Sequence, residues 1–439
     1  MITFHMTGKS LISNTRLFIR SLFKKKFYGF IQGHSHLDRE EVREIQKYLN
    51  INDFSLIEKF EQAFACLLGK GKCVSYASAR MGFFSILKEL EIKENDEIIL
   101  TGFTCSVMVN AVLRFKAKPV YADIDNDNLG TSYQSLKKLV NEKTKVIVAQ
   151  HSFGIPCDIK KIKNFAKTKK IFLIEDCAIT LGSEYEEEIC GNFGDAAIFS
   201  TDHTKPINTI IGGMVYTKNL SLYKKLKKVQ LNLPHLDKNK QMALWRQFLL
   251  ERKFCNPEFY GMFNLIQSLL LRLFQKKTYP FLDNDNGALT NEYDYPYPSL
   301  IPFFLARLGL IEIENWNKYH KNSRKNYLQD LITILDSNPD VYLPEAYYDN
   351  RYSIVPLRFV FFSEKIEKIF FKNYVDHRSF WFTKPIINAS CLLEDLNYSD
   401  GECINSEKIG GIIFNLPCNL NCQEFTYLKE QLDLLINYN

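Results

Sequence analysis

The chain contains no run of about 18 uncharged apolar residues, the length a helix needs to cross a bilayer. Its N-terminus sets no apolar core ahead of the first charges, as a secretory signal would. Both absences point to a protein that stays in the cytoplasm. A disulfide framework is missing too, because the 11 cysteines are scattered and odd in number, so most read as reduced core thiols. Cys418 and Cys422 form a C-x-x-x-C pair, but no second pair or histidine cluster accompanies them, and no metal site is expected. Charge of one sign is scarce: the formal excess is +6, part of it gathered in Arg16, Arg20, Lys24, Lys25 and Lys26. Such a cluster is usually a solvated face, so no nucleic-acid partner is expected. No internal repeat or low-complexity tract is visible.

What is present is a soluble globular composition, 46% hydrophobic and 24% charged, over 439 residues, too many for a typical single domain. From about residue 70 to 220, short apolar runs alternate with amphipathic stretches, the pattern of a mainly parallel sheet wrapped by helices. The runs are Cys73–Tyr76, Glu97–Thr101, Pro119–Asp123, Lys145–His151, Ile171–Asp176, Ala196–Thr201 and Gly213–Thr217. Helices are expected at Met81–Leu90, Ser106–Phe115, Tyr133–Val140 and Ile159–Ala166, where apolar residues recur at three-to-four spacing. Residues 225–295 read as a helical insert, whose adjoining apolar and basic residues over 261–277 would permit peripheral contact with a membrane. Beyond residue 296 a long helix over Phe304–Leu331 leads into apolar segments at Ser353–Phe362 and Gly411–Leu416, a smaller α+β domain. The expected division is a basic extension (1–36), a large α/β domain (37–224), the insert (225–295) and the smaller domain (296–439).

In a parallel sheet, ligands bind beyond the carboxyl ends of the strands, so polar residues that follow apolar runs carry the chemistry. Ile171-Phe-Leu-Ile-Glu-Asp-Cys-Ala178 ends in two carboxylates, Glu175 and Asp176, one of which must sit at the strand's lip. An ionised carboxylate there is what the pyridine nitrogen of pyridoxal phosphate requires. Alone, such a strand end more often serves as a helix cap or a metal or ribose contact. Ala196-Ala-Ile-Phe-Ser-Thr-Asp-His-Thr-Lys-Pro-Ile-Asn208 places Lys205 on a polar turn, five residues after Ser200 at the strand end. A lysine amine can condense with an aldehyde and then shuttle a proton, while the Ser200 hydroxyl binds a phosphate. Most lysines of the chain are solvated; Ser200 is what singles this one out. Finally, Cys73-Val-Ser-Tyr-Ala-Ser-Ala-Arg-Met-Gly82 turns from strand to helix, where Ser78 and Ala79 would let phosphate approach the helix N-terminus and Arg80 add a charged contact.

In this order and spacing the three features resemble the DegT-type nucleotide-sugar aminotransferases, enzymes of the fold-type I pyridoxal-phosphate class. Phe60-Glu-Gln-Ala-Phe-Ala65, Asn95-Asp-Glu-Ile-Ile-Leu100, Pro119-Val-Tyr-Ala-Asp-Ile-Asp125, His151-Ser-Phe-Gly154 and Ile413-Phe-Asn-Leu-Pro417 look like further landmarks of that family. The resemblance runs from about Leu37 to the C-terminus, the insert excepted. It implies a seven-stranded, mainly parallel sheet between helices and pyridoxal 5'-phosphate as cofactor. It makes Lys205 the residue that condenses with the cofactor, and Asp176, rather than Glu175, the partner of the pyridine nitrogen. Ser200, Ala79 and Arg80 would surround the phosphate.

The pattern also departs from the family. Ala79 and Arg80 stand where a Gly-Thr pair is usual, Cys105 where an aromatic residue commonly stacks on the cofactor, and Ile179 where a Gln is frequent. Tyr295-Pro-Tyr-Pro-Ser299 lacks the Asn that a neighbouring subunit normally contributes, which suggests an altered subunit interface. Some members replace the lysine by His and dehydrate their substrate; here His203 is present, but so is Lys205. The expected activity is transfer of an amino group, from glutamate, to a nucleotide-linked keto-sugar by a homodimer, for aminosugar and surface-polysaccharide synthesis. A sugar dehydratase or lyase and a non-catalytic binding or regulatory relative are the alternatives.

Overall fold

The computed structural model describes residues 26–273, 281–282, 295–366 and 374–437, and of 267–273 and 433–437 the backbone alone. Arg16, Arg20, Lys24 and Lys25 lie outside the described residues, as do the basic residues Lys276 and Lys277 of the expected membrane-facing stretch.

Seven strands form the main sheet: β1 (Lys72–Tyr76), β2 (Glu97–Thr101), β3 (Lys118–Ala122), β4 (Thr144–Gln150), β5 (Phe172–Asp176), β6 (Ala196–Ser200) and β7 (Gly213–Thr217). Their order is β1-β7-β6-β5-β4-β2-β3, and β7 alone runs against its neighbours. Each expected strand is present, with bounds shifted by a residue at most. The buried run of β4 shows why: strands covered on both faces read as continuous apolar sequence. Val146 and Val148 enter one hydrophobic cluster while Ile147 and Ala149 enter another, the alternation a pleated strand imposes.

The first cluster is covered by α1 (Arg39–Lys47), α2 (Phe54–Leu68), α3 (Ala79–Glu89) and α4 (Ser106–Leu113), the second by α5 (Tyr133–Leu139) and α6 (Ile159–Lys169). α1 starts sharply because Asp38 and Glu41 form a reciprocal capping box. Residues 225–295 do contribute helix: α7 (Leu220–Gln230) runs into them, and α8 (Lys238–Phe254) and α9 (Tyr260–Leu273) follow. No helix among the described residues is long and apolar enough to cross a membrane.

The long helix expected over Phe304–Leu331 is broken in register. α10 (Phe303–Asn315) and α11 (Lys321–Leu335) are joined by a π-helical turn, Trp316–His320. The reason lies in packing. Side chains of α10 and Trp316 enter the cluster of the main sheet, whereas Tyr327, Leu328, Leu331 and Leu335 enter a separate C-terminal cluster. A π turn rotates the apolar stripe from one core to the other. The C-terminal cluster surrounds an antiparallel pair, β8 (Arg358–Phe362) and β9 (Ile413–Pro417), with α13 (Cys422–Asn437) against α11; α12 (Ile404–Ile412) leads into β9. The segment expected as one strand from Ser353 splits at Pro356, which cannot donate to a ladder: Tyr352–Ser353 pairs instead with Glu184–Tyr185.

Candidate active site

Because β1 to β6 share one direction, their carboxyl ends lie along one edge of the sheet, and β7 begins there. The register sets Gly213 opposite both Tyr76 and Ser200, so the ends of β1, β7 and β6 converge. A Cβ at Gly213 would stand 2.2 Å from the Ala79 amide nitrogen. Only glycine lets β7 pass so close to the start of α3. Ser78 is the N-cap of that helix yet makes no cap bond, and its Oγ is buried without a partner. The first amides of α3 and this hydroxyl are therefore donors that an anion could use.

Lys205 follows on the loop from β6 to β7. It is 6% exposed, with Nζ 3.8 Å from a carboxylate oxygen of Asp202 and 4.4 Å from the centre of the Trp381 ring. Burial holds its amine below the ordinary lysine range; Asp202 offsets part of this, and the charge of Arg358 pushes further down. Ser200 is half-buried and engaged only weakly, 3.4 Å from the side chain and amide of Asp202.

The two carboxylates at the end of β5 face different surroundings. Glu175 is fully buried and saturated: it accepts from the amides of Gly191, Phe193 and Gly194, each at 2.7 Å, and bonds His151 Nε2 at 3.0 Å. Although His151, Glu175 and Cys177 bring ligand atoms within 4.8 Å, those four bonds make the cluster a structural tie. Asp176 accepts one bond, from the Ala178 amide at 2.9 Å. Burial raises its carboxyl, against the pull of that amide, Lys205 and His151. Of the pair it is Asp176 that Lys205 senses and that keeps acceptor capacity.

Two other sequence candidates lie nearby. Cys105 is half-buried, in a short parallel pairing of Thr104–Cys105 with Ile386–Ile387, and its Sγ accepts from Asn388 Nδ2 at 3.5 Å. The Arg80 guanidinium donates to the Leu282 carbonyl oxygen. Tyr295–Ser299 packs within its own chain, with Ser299 O accepting from the Ala77 amide at 3.0 Å.

Sequence reasoning missed Arg358 and Trp381. Arg358 is 2% exposed, stacked between Phe30 (4.0 Å) and Trp381 (3.6 Å), and donates to Ser379 O (2.7 Å) and Asn415 Oδ1 (3.1 Å). Its Nε has no partner, and burial pushes the guanidinium down to about 9. The only mark of it in the sequence is a single cation within an apolar strand. Trp381 carries no mark at all, since it reaches Lys205 only through the packing of β9, whose Asn415 binds its backbone on both sides.

The fold is one shared with solved aminotransferases. The chain superimposes on the aminotransferase TlmJ from Streptoalloteichus hindustanus with a TM-score of 0.68 at 16% identity, over 94% of this chain and 99% of that one. It superimposes likewise on PseC of Helicobacter pylori, an aminotransferase involved in the biosynthesis of pseudoaminic acid (TM-score 0.65, 18% identity, 94% and 100% covered). Closer kinship lies in the sheet-bearing part: residues 34–248 match the DegT/DnrJ/EryC1/StrS aminotransferase family. Within it, the GDP-perosamine synthase of Escherichia coli O157:H7 is 36% identical over 167 residues, 38% of this chain and 46% of that protein. The spore coat polysaccharide biosynthesis protein SpsC of Bacillus subtilis is 31% identical over 199 residues, 45% and 51%. The matched region thus spans about half the length of these relatives.

Proposed function

We propose that the protein is a pyridoxal-phosphate-dependent aminotransferase that moves an amino group from glutamate to a nucleotide-linked keto-sugar, for aminosugar and polysaccharide synthesis. The observation that carries this reading is a buried lysine amine of lowered proton affinity, coupled to a buried aspartate at the edge where α3 begins without a side-chain cap. A solved structure of similar fold, DesI, is described with its TDP-sugar product, which supports a nucleotide-sugar substrate.

The residues fit the cofactor. Asp176 would hold the pyridine nitrogen in its protonated form, and Ser200, Ser78 and the first amides of α3 would take the phosphate, with Arg80 adding charge and Cys105 bordering the ring. When bound, pyridoxal phosphate supplies an aldehyde for condensation with amines and a sink for electrons. Lys205 would move the proton: its buried Nζ, held below the ordinary lysine range by burial, is placed to take a proton from the substrate carbon and return it. Arg358, a buried cation with an unpaired Nε, would meet the donor's carboxylate. The half-buried Trp381 lies over both cations and limits water.

On this reading residues 1–36 are a basic extension, 37–224 the cofactor-binding body, 225–295 a helical insert and 296–439 a smaller α+β part. The protein would work in the cytoplasm as a homodimer. The test supplies cofactor, glutamate and nucleotide-linked keto-sugars, and follows 2-oxoglutarate and product mass. The expected result is an aminosugar and 2-oxoglutarate in equal amounts; a deoxysugar would overturn transfer in favour of dehydration. Lys205→Ala is expected to lower multiple-turnover transfer by about a thousandfold or more.

A further inference from the structure

The loop that carries Lys205 is bound at its base by its own chain. The Thr201 amide donates to Gly212 O (3.0 Å), the Thr209 amide to Thr201 O (2.8 Å), and the two threonine hydroxyls lie 2.6 Å apart. Its turn is strained: Ile210, a β-branched residue, has φ +66°. Such a conformation persists only where its surroundings hold it.

Part of the hold comes from outside the loop. Asn208 Oδ1 accepts from the Ile210 amide at 2.6 Å, and Asn208 Nδ2 donates to Gln32 O (2.8 Å) and to Glu251 Oε2 (3.1 Å). The other oxygen of Glu251 lies 3.1 Å from His203 Nδ1 and accepts from Gln247 Nε2 at 2.9 Å. Glu251 belongs to α8 and has no solvent exposure. One carboxylate therefore grips the chain two residues before Lys205 and three after it. The ring of Phe281, further along the same helical segment, packs 4.3 Å from His203.

We propose that Glu251 is a positioning residue for Lys205, a contribution of the helical segment 225–295 to the site. The proposal rests on reading Lys205 as the reacting amine. Two bonding oxygens are what the task needs: each serves one side of the turn, whereas a glutamine offers a single acceptor. Without the carboxylate, Asn208 and His203 lose their shared anchor, the turn at Ile210 relaxes, and Nζ leaves its place beside Asp202 and Trp381.

The experiment compares wild type with Glu251→Ala and Glu251→Gln. On cofactor-free protein, trace acetylation with acetic anhydride across pH, read by peptide mass spectrometry, gives the labelling of Lys205 relative to Lys227, which pairs with Glu61 at 2.6 Å. Relative labelling of Lys205 is expected to change at least about fivefold in Glu251→Ala and less in Glu251→Gln, since misplacement of about 1 Å at a reacting group already carries large effects. On loaded protein, kcat is expected to fall about tenfold to a hundredfold with KM for the keto-sugar little altered, and the pH midpoint of the cofactor's absorbance to shift. A folded Glu251→Ala protein that labels Lys205 and titrates as wild type does would reduce Glu251 to packing and overturn the proposal. If that variant does not fold, Glu251→Gln is judged by the same criteria. Should the wild type take up no pyridoxal phosphate, the proposed function fails, yet the labelling comparison still decides whether Glu251 sets the environment of Lys205.

Discussion

At the scale of single residues, the site depends on what each position forbids as much as on what it supplies. Gly213 forbids a side chain, because any Cβ would meet the backbone of Ala79. Gly213→Ala should therefore push β7 from α3, lowering the free energy of unfolding by about 1–3 kcal/mol, read from urea denaturation. It should weaken cofactor binding more than stability, since the displaced amides are those that would take the phosphate. Residue chemistry was partly legible beforehand. Lys205 and Ser200 stood out by their spacing after an apolar run. The choice between Glu175 and Asp176 could not be read from the strand itself, because alternation tells that they face opposite ways and not which way is the site. The fold tells them apart: the turn at 191–194 and His151 occupy both oxygens of Glu175, whereas Asp176 accepts a single bond.

At the scale of elements, α10 is joined to the segment before α1 by a buried charge cluster. Glu312 is fully buried and one of its oxygens lies 3.0 Å from both His34 Nδ1 and His36 Nε2. Burial pushes the Glu312 carboxyl up, but the two histidines outweigh it and hold it down at about 2. Burial lowers His36, and the bond and charge of Glu312 more than reverse this, leaving its proton affinity raised. The signs follow. His36 contributes stability that is fully present below its unfolded value of about 6.5 and is lost as pH rises through the higher folded value. Glu312 contributes stability present above about 4.5 and lost as pH falls toward 2. The neighbouring His320, lowered to about 4 by burial and Arg324, works against His36 below pH 6.5, because it resists taking a proton. Comparison with His36→Gln isolates the one term: the variant should lose about 1 kcal/mol relative to wild type at pH 5.5, and the gap should narrow by pH 8.5. A gap independent of pH, in chemical denaturation across that range, would argue against a protonated His36. None of this was visible in the helix pattern. The sequence marks α10 and α11 as one apolar-striped helix, and it takes two separate cores to require the π turn between them.

At the scale of the whole molecule, Arg324 ties distant parts of the chain. Its fully buried guanidinium donates to Pro356 O and Leu357 O, just before β8, and to Gln32 Oε1, each at 3.0 Å. Gln32 in turn accepts from Asn208 on the Lys205 loop. Arg324→Met keeps the aliphatic bulk but strands three buried acceptors, and is expected to cost about 2–4 kcal/mol of stability in chemical denaturation. Because the strain is passed to the loop through Gln32, the labelling of Lys205 should change as well. The sequence by itself marked the sheet, since seven short apolar runs alternating with amphipathic stretches are the pattern of a mainly parallel sheet buried on both faces by helices. It also determined that Lys205, Ser200 and Asp176 share one edge, because strand polarity puts every carboxyl end there. Only the tertiary structure decided what surrounds them. Arg358, Trp381 and Glu251 come from segments far apart in the chain, and local periodicity records which face of an element is apolar but not which other element that face will meet.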